Sequence, residues 1–340
     1  MRYGSFRLLV FLIVLLAGAD TPARGQQAIP LRVAIAPVSV NNLPFIIALE
    51  EGIYQRNGLA VDQFIPSGAA ETAKEDGVIV NPRYVSAGGA SSPITTANGV
   101  GLIFNRTRSA SAPLDQVTLA TLEPVMRYHI VAQPEISRVE QLKGKRLGIT
   151  GFGAATHFAA RVFVERMQWD PVKDISLLLS GASVAALKAR RVDALLASDF
   201  RYPMATAAGF KSLLDTSSWN VPFPGGGVNA SRSWLRDNRE TARRFVRSLV
   251  EAIAVIKKDK EATFRAMAKW WGITDPRLRE MIYEAAADKP SKPYPSVAGI
   301  RRVMEVYDSN EMRKYKPEDF YDDSFVRELD ETGFIDGLYK

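Results

Sequence analysis

The sequence predicts an α/β protein of two lobes joined by a hinge and followed by C-terminal helices, and three observations support this. The order strand, polar loop, helix occurs near residue 31 and again near residue 142. Extended, proline-containing segments at 119–131 and 215–226 lie between the two halves. Beyond residue 237 the apolar spacing becomes purely helical. Because strands that alternate with helices are typical of parallel sheets, we expect one parallel-type sheet in each lobe.

The first half opens with an alternating apolar strand at 31–36, and a helix is expected at 45–52. Pro44 suits the first turn of that helix, and Asn42 suits the cap before it. Apolar runs at 61–65 and 101–105 are further strand candidates. A turn rich in glycine and serine lies at 86–92, and Pro93 after it is a second expected helix start.

The second half repeats this order with a strand at 146–150 and a helix whose apolar face carries Phe158, Val162, Phe163 and Met167. A strand at 175–179, a helix at 184–190 and a strand at 192–197 follow. We therefore expect residues 26–123 and 222–340, with the C-terminal helices, to form lobe 1 and residues 124–221 to form lobe 2.

The first 25 residues have the features of a secretory signal peptide. Arg2 and Arg7 precede an apolar run at 8–17, and Ala23 and Gly25 are small residues at the positions that a signal peptidase recognises. The run is shorter than the roughly 20 residues of a membrane-spanning helix. Cleavage before Gln26 is expected, and an uncleaved anchor is the alternative.

Composition excludes several classes of protein and site. The 340 residues contain no cysteine, which removes disulfides, thiolate metal sites and lipid anchoring through cysteine. The net charge of +7 is spread along the chain, so we expect no nucleic-acid binding. His129 and His157, the two histidines, do not form a metal-binding pair, and a phosphate-loop lysine pattern is absent. We therefore expect no metal, no cofactor and no catalytic residue.

The loop-to-helix junctions are the candidate ligand-binding sites. The first N–H groups of a helix are unpaired and carry partial positive charge, so two such helix starts that face one cleft are able to hold an anion. The first junction offers Ser39, Asn41 and Asn42, the second offers Gly153, Ala154, Ala155 and Thr156, and the glycine-serine turn offers Gly89, Ser91 and Ser92.

Four further side chains have both a ligand-binding and a structural interpretation. His157 is a donor to a ligand or a solvent-facing residue of a first helical turn, and Phe45 is an aromatic wall or a core residue. Asp199 binds an amine of the ligand or caps the next turn. Arg201 is the nearest candidate for a bidentate clamp on a carboxylate or sulfonate.

Several segments resemble one family of transport proteins. The segment 42–61, with Glu51-Gly52-Ile53-Tyr54 and Asn57-Gly58-Leu59, and the segments 142–148, 186–194 and 316–322 resemble the nitrate/sulfonate/taurine substrate-binding family of ABC importers, which also includes proteins for thiamine precursors. The resemblance covers nearly all of the chain beyond the signal. It departs from the family at 74–85, where Tyr84-Val85 replaces an expected acidic residue.

The resemblance implies a type II periplasmic-binding-protein fold with two Rossmann-like lobes. It also implies a periplasmic, monomeric protein without enzymatic activity, which binds a small anionic organic solute such as a sulfonate, a carboxylate or a nitrate-like ion. Its partners would be an ABC permease and an ATPase. Two alternatives stay open: an enzyme on the same scaffold, similar to thiamine-pyrimidine synthases or small dehydratases, and an extracytoplasmic ligand sensor.

Overall fold

The computed structural model describes residues 27–87, 92–106, 115–179, 182–198 and 200–340. The strands in these ranges form two sheets. Their bounds are β1 Ile29–Ala34, β2 Leu59–Pro66, β3 Val85–Ser86, β4 Ile94–Thr95, β5 Gln116–Thr121, β6 His129–Ala132, β7 Arg146–Ile149, β8 Ser176–Leu179, β9 Ala194–Ala197, β10 Lys211–Asp215 and β11 Gly227–Ser231.

The helices cover the two sheets and make up most of the C-terminal third. Their bounds are α1 Leu43–Glu50, α2 Ile53–Arg56, α3 Ser67–Glu75, α4 Gly99–Arg106, α5 Ala155–Arg166, α6 Val184–Lys188, α7 Arg201–Ala207, α8 Arg232–Lys258, α9 Lys260–Trp271, α10 Pro276–Ala287, α11 Val297–Val306, α12 Ser324–Glu331 and α13 Phe334–Gly337. None of the helices in the described ranges combines the length and the apolar character that a bilayer crossing needs.

The first sheet has the order β3-β2-β1-β4-β11-β5 and the second has the order β10-β6-β9-β7-β8. Neither sheet is wholly parallel, contrary to the sequence-based expectation. β11 runs antiparallel to β4 and β5, and β6 runs antiparallel to β9 and β10. The physical reason is that β6 and β11 enter their sheets directly from the crossing segments, without the crossover helix that a parallel connection requires.

Two sequence predictions around residue 100 are wrong. Residues 101–105, expected to be a strand, belong to helix α4, and Pro93 is followed by strand β4 where a helix was expected to begin. The side chain of Asn98 accepts a hydrogen bond from the N–H of Gly101 at 3.3 Å, as a helix cap does. A short run in which Val100, Leu102 and Ile103 are all buried has no periodicity that separates a strand from a buried helix.

The two segments that cross between the sheets lie side by side. The N–H of Met126 donates to the carbonyl of Val221 at 2.9 Å, and the N–H of Phe223 donates to the carbonyl of Pro124 at 2.9 Å. Two paired, proline-containing crossings join the sheet built from 29–121 and 227–231 to the sheet built from 129–215.

The hydrophobic cores show how the C-terminal helices are shared between the sheets. α8 and α9 pack in the core of the first sheet, with Phe245 and Trp270 among its buried residues. Ile300 and Val303 of α11, together with Phe320, pack in the core of the second sheet. The division of the chain into lobes at 123/124 and 221/222 stays a prediction. Helix α11 belongs to lobe 1 in that division, but it packs against residues of 124–221, which the division assigns to lobe 2.

Candidate functional site

A cavity of about 350 Å³ lies between the two sheets, and we call it the main cavity. Its walls come from the loop before α1, the helix α3, the two crossing segments, the start of α5 and the residues before α7. Its lining residues are Pro37, Val38, Ser39, Asn41, Ala69, Thr72, Ala73, Asp76, Val78, Thr96, Asn98, Glu123, Tyr128, Thr150, Ala154, Ala155, Thr156, Ser198, Phe200, Arg201, Phe223 and Gly226.

The start of α5 forms part of the wall of the main cavity. Ala154, the residue before the helix, has an extended backbone (φ −75°, ψ 166°) and makes no side-chain cap to the helix. Ala154, Ala155 and Thr156 all line the cavity, as the sequence predicts. Thr156 Oγ1 accepts a hydrogen bond from the N–H of Thr150 at 2.9 Å, which ties the helix start to the end of β7. The N–H groups of this first turn are therefore held in a fixed position at the cavity wall.

The loop before α1 forms the facing wall. Ser39 and Asn41 line the cavity, and Asn41 Nδ2 donates to Oε2 of Glu123 at 3.3 Å. Asn41 is only 6% exposed, and its Oδ1 is buried with no hydrogen-bond partner among the described residues. Gly226 is needed here because a Cβ at this position would come within 2.6 Å of Asn41 Nδ2. This wall offers the carboxylate oxygens of Glu123 as acceptors, while Asn41 Oδ1 is sealed from the cavity.

Arg201 lines the main cavity, but the structure assigns its guanidinium to a protein carboxylate. Its Nη2 donates to Oδ2 of Asp76 at 2.7 Å, and its Nε lies 3.1 Å from both oxygens. Asp76 Oδ1 also accepts a hydrogen bond from the N–H of Val184 at 3.1 Å. Asp76 follows α3 and Arg201 begins α7, so this contact connects the first half of the chain to the second across the cavity. Arg201 was expected to bind a ligand through two hydrogen bonds, and in this structure its guanidinium binds the carboxylate of Asp76 instead.

Five of the predicted residues are placed outside the lining of the main cavity. Phe45 is fully buried and stacks on Phe245, with the ring centroids 5.9 Å apart. Asn42 is buried, and its Oδ1 accepts a hydrogen bond from the N–H of Ser39 at 3.0 Å. Ser92 donates through Oγ to the carbonyl of Arg32 at 3.0 Å. Asn42 and Ser92 therefore hydrogen-bond to backbone groups, Phe45 packs in the core, and none of the three lines the main cavity.

Gly153 and His157 form a packed turn beside α5. Gly153 has a φ of +76°, and a Cβ on it would lie 2.0 Å from the ring of Phe104. The N–H of Gly153 donates to Nδ1 of His157 at 3.0 Å, and the hydroxyl of Tyr307 lies 3.0 Å from the same nitrogen. His157 is 8% exposed, so it is not the solvent-facing residue of the second interpretation, and its Nδ1 lies at the contact with Tyr307 after α11. Its role as a ligand donor stays a prediction.

Gly89, Ser91 and Asp199 lie outside the described residues, so their predicted roles stay predictions. Other lining residues were not predicted, among them Asp76, Thr96, Asn98, Glu123 and Tyr128. Asn98 had a usable signal, since it directly precedes the glycine that begins α4. No such sequence signal marked Asp76 or Glu123, because each acts through a partner that is distant in the sequence, Arg201 and Asn41 respectively.

A second cavity, of about 520 Å³, adjoins the first, and we call it the side cavity. Its walls are the first crossing segment, α7, the residues after β10 and the end of α10, and it shares Glu123 and Ser198 with the main cavity. Its lining residues are Leu122, Glu123, Pro124, Arg127, His129, Ser198, Tyr202, Pro203, Asp215, Ser217, Met281, Glu284, Ala285, Asp288 and Lys289.

Two ionisable groups of the side cavity have shifted pKa values. Burial lowers the pKa of His129, whose ring stacks on Tyr202 at 3.5 Å, while the charge of Asp215 opposes this shift. Burial alone would raise the pKa of Asp215. The hydrogen bonds from the backbone N–H and hydroxyl of Ser217, together with the charges of His129 and Arg127, lower this pKa by more, so the net shift is downward. His129 is therefore held toward its neutral form, and Asp215 toward its carboxylate form.

Comparison with known proteins identifies one family and several similar folds. The family model described as NMT1/THI5 like matches residues 39–263. The periplasmic nitrate-binding protein NrtA from Synechocystis PCC 6803 is 14% identical with a TM-score of 0.69, over 90% of this chain and 89% of that chain. The periplasmic aliphatic sulphonate binding protein SsuA from Escherichia coli is 18% identical with a TM-score of 0.61, over 82% and 85%.

A desulfurization enzyme, DSZB, is also similar, at 15% identity with a TM-score of 0.59, over 89% of this chain and 99% of that chain. No curated protein matches the chain. At these identities the likeness to solved structures shows a shared fold, and it confirms the predicted fold class of two α/β lobes with C-terminal helices.

Proposed function

The chain belongs to the NMT1/THI5-like family, and we propose that it is the solute-binding component of an ABC importer. In this proposal the main cavity holds a small anionic organic solute, such as a sulfonate or a carboxylate, or a nitrate-like ion. The protein works in the periplasm as a monomer after its signal peptide is removed. It delivers the solute to a membrane permease that is driven by an ATPase.

One observation carries this proposal: a cavity of about 350 Å³ has walls from both halves of the chain and contains the uncapped start of α5. An anion that accepts hydrogen bonds from the amides of that start is stabilised by the helix dipole as well. On the facing wall, the carboxylate oxygens of Glu123 are hydrogen-bond acceptors. An anion that also presents an N–H or O–H group would hydrogen-bond to both walls, whereas nitrate or a simple sulfonate would bind through the start of α5.

The family resemblance at the sequence level supports the same role. The names of NrtA and SsuA describe them as periplasmic proteins that bind nitrate and sulphonate. The absence of cysteine from the whole chain is unfavourable for an enzyme that depends on a thiolate. Because DSZB is described as a desulfurization enzyme and has a similar fold, an enzymatic activity on this scaffold is the second candidate function.

A melting-temperature screen of the chain from residue 26 onward tests the proposal. The ligands are nitrate, alkyl sulfonates, taurine and aromatic carboxylates, each as the sodium salt or free zwitterion at constant ionic strength. A solute at 100 times its Kd stabilises the folded protein by about 2.7 kcal/mol, so one or more should raise the melting temperature by several degrees.

A flat response to the whole panel would contradict the binding role. Chemical conversion of a stabilising solute by the purified protein, followed by mass spectrometry over hours, would instead favour the enzyme. The same screen with the variant described below for α5 shows whether a stabilising solute occupies the main cavity.

A further inference from the structure

The side cavity contains a largely buried lysine that forms no ion pair with any residue the structure describes. Lys289 follows α10, lines the side cavity and is only 6% exposed. Within the described ranges its ammonium group makes no ion pair and no hydrogen bond, although its Nζ is not sealed from the cavity. A lysine that is this little exposed is usually paired, so an ammonium group that reaches the cavity without a partner is available to a ligand.

The acidic groups around Lys289 are engaged elsewhere or exposed to solvent. Asp288 forms an ion pair with Arg127. Asp215 accepts a hydrogen bond from the N–H of Ser217 at 2.9 Å. Glu123 accepts one from Asn41, and Glu284 is exposed on the surface of α10.

We propose that the side cavity is a second binding site, in which the ammonium group of Lys289 pairs with the carboxylate or sulfonate group of a small organic anion. The volume of about 520 Å³ has room for such a molecule with a short alkyl or aromatic body. The stacked rings of His129 and Tyr202 supply an aromatic wall of the same cavity. This site is separate from the anion site at the start of α5 and does not depend on the function proposed above.

His129 is a spectroscopic reporter for this site. The chain has two histidines, and only His129 lines the side cavity, while His157 is buried between α5 and α11. An anion bound beside Lys289 places negative charge in the cavity that His129 faces, together with Asp215 and Arg127. Negative charge favours the imidazolium form, so the pKa of His129 should rise on binding.

The test uses methanesulfonate as the probe and proton NMR of the histidine ring signals, with sodium chloride at equal ionic strength as the reference. Saturating methanesulfonate should raise the pKa of His129 by about half a unit or more and leave that of His157 unchanged. Lys289→Gln should weaken binding at least about tenfold, whereas Lys289→Arg should retain it. Lys211→Gln, which removes an exposed lysine of the edge strand β10, is the matched control and should bind as the unmodified protein does.

Three results would overturn the proposal. The first is a pKa of His129 that does not respond to methanesulfonate, and the second is an equal response in Lys289→Gln and the unmodified protein. The third is a shift in the pKa of His129 that ethylammonium chloride produces and methanesulfonate does not, which would indicate that the cavity binds cations. Lys289→Gln removes a charge from a largely buried side chain, so the melting temperature of the variant without probe should not fall. An unchanged melting temperature would show that the variant is folded.

Discussion

Arg201 and Asp76 show how much the role of one residue depends on its partner. Both side chains are largely buried, at 15% and 8% exposure, and together they form a bidentate ion pair at the wall of the main cavity. The pair joins the end of α3 to the beginning of α7, so it stabilises the arrangement in which the two halves are close. Both residues line the main cavity, so a solute bound there would contact the ion pair as part of the cavity wall.

Asp76→Asn tests this role of the ion pair. The change removes the carboxylate charge from a bidentate ion pair in a poorly solvated place, so the free energy of unfolding should fall by about 3 kcal/mol. Urea denaturation followed by circular dichroism measures this. Glu135→Gln is the matched control, because it removes the exposed partner of Arg190 in another Arg–carboxylate pair and should change the stability little. Equal stabilities of the two variants would contradict the role assigned to Asp76.

The sequence predicts Arg201 as a ligand-binding arginine but could not identify Asp76 as its partner. Asp76 lies 125 positions earlier, in a segment where the family resemblance departs from its usual pattern. Phe45 and Asn42 illustrate the opposite error, because both flank a predicted helix start and yet point into the core. The sequence places a residue near a junction, and only the fold decides which way its side chain points.

At the scale of elements, the start of α5 is the feature that the sequence predicts best. The order strand, small-residue loop, helix is visible at 146–166, and the structure places β7, the turn and α5 there. The signal was strong because glycine and alanine end the strand and an amphipathic spacing begins directly afterwards. Helix α4 was missed because its eight residues, five of them buried, are too few to show a helical period.

Ala155→Pro tests the anion site at the start of α5. Ala155 is the first helical residue, and the extended backbone of Ala154 is compatible with a following proline. The change removes one N–H group from the cavity wall and should weaken solute binding at least about tenfold, since a hydrogen bond to a charged group contributes about 1.5–3 kcal/mol. Thr156 is a poorer target, because its Oγ1 also accepts a hydrogen bond from Thr150.

Ser67→Pro is the control for this variant. Ser67 is the first residue of α3, follows an extended Pro66, is exposed and does not line the main cavity. Titration calorimetry with a solute found in the melting screen should give an unchanged Kd for Ser67→Pro and a raised Kd for Ala155→Pro. Unchanged binding in Ala155→Pro would show that the solute does not use this helix start.

At the scale of the whole molecule, two sheets are connected by a pair of crossings that hydrogen-bond to each other. The crossings were predictable because both are extended and contain proline between two α/β halves. The sharing of α11 with the core of the second sheet was not predictable, because a helix pattern shows which face is apolar and does not show what that face packs against.

This architecture predicts that solute binding changes the separation of the halves. A solute that contacts both walls of the main cavity binds the closed arrangement better than the open one, and so shifts the population toward it. The bending should occur in the segments near 119–131 and 215–226, while each sheet moves as a unit. Asp76→Asn should shift the population without solute toward the open arrangement, since it removes a contact that exists only when the halves are close.

Small-angle X-ray scattering of the purified protein, with and without a saturating solute from the melting screen, tests the central claim most directly. If the main cavity holds the solute between two halves that close over it, the radius of gyration should decrease on addition of solute, and Ala155→Pro should need more solute for the same decrease. A solute that binds with a clear rise in melting temperature and leaves the scattering curve unchanged would contradict this account.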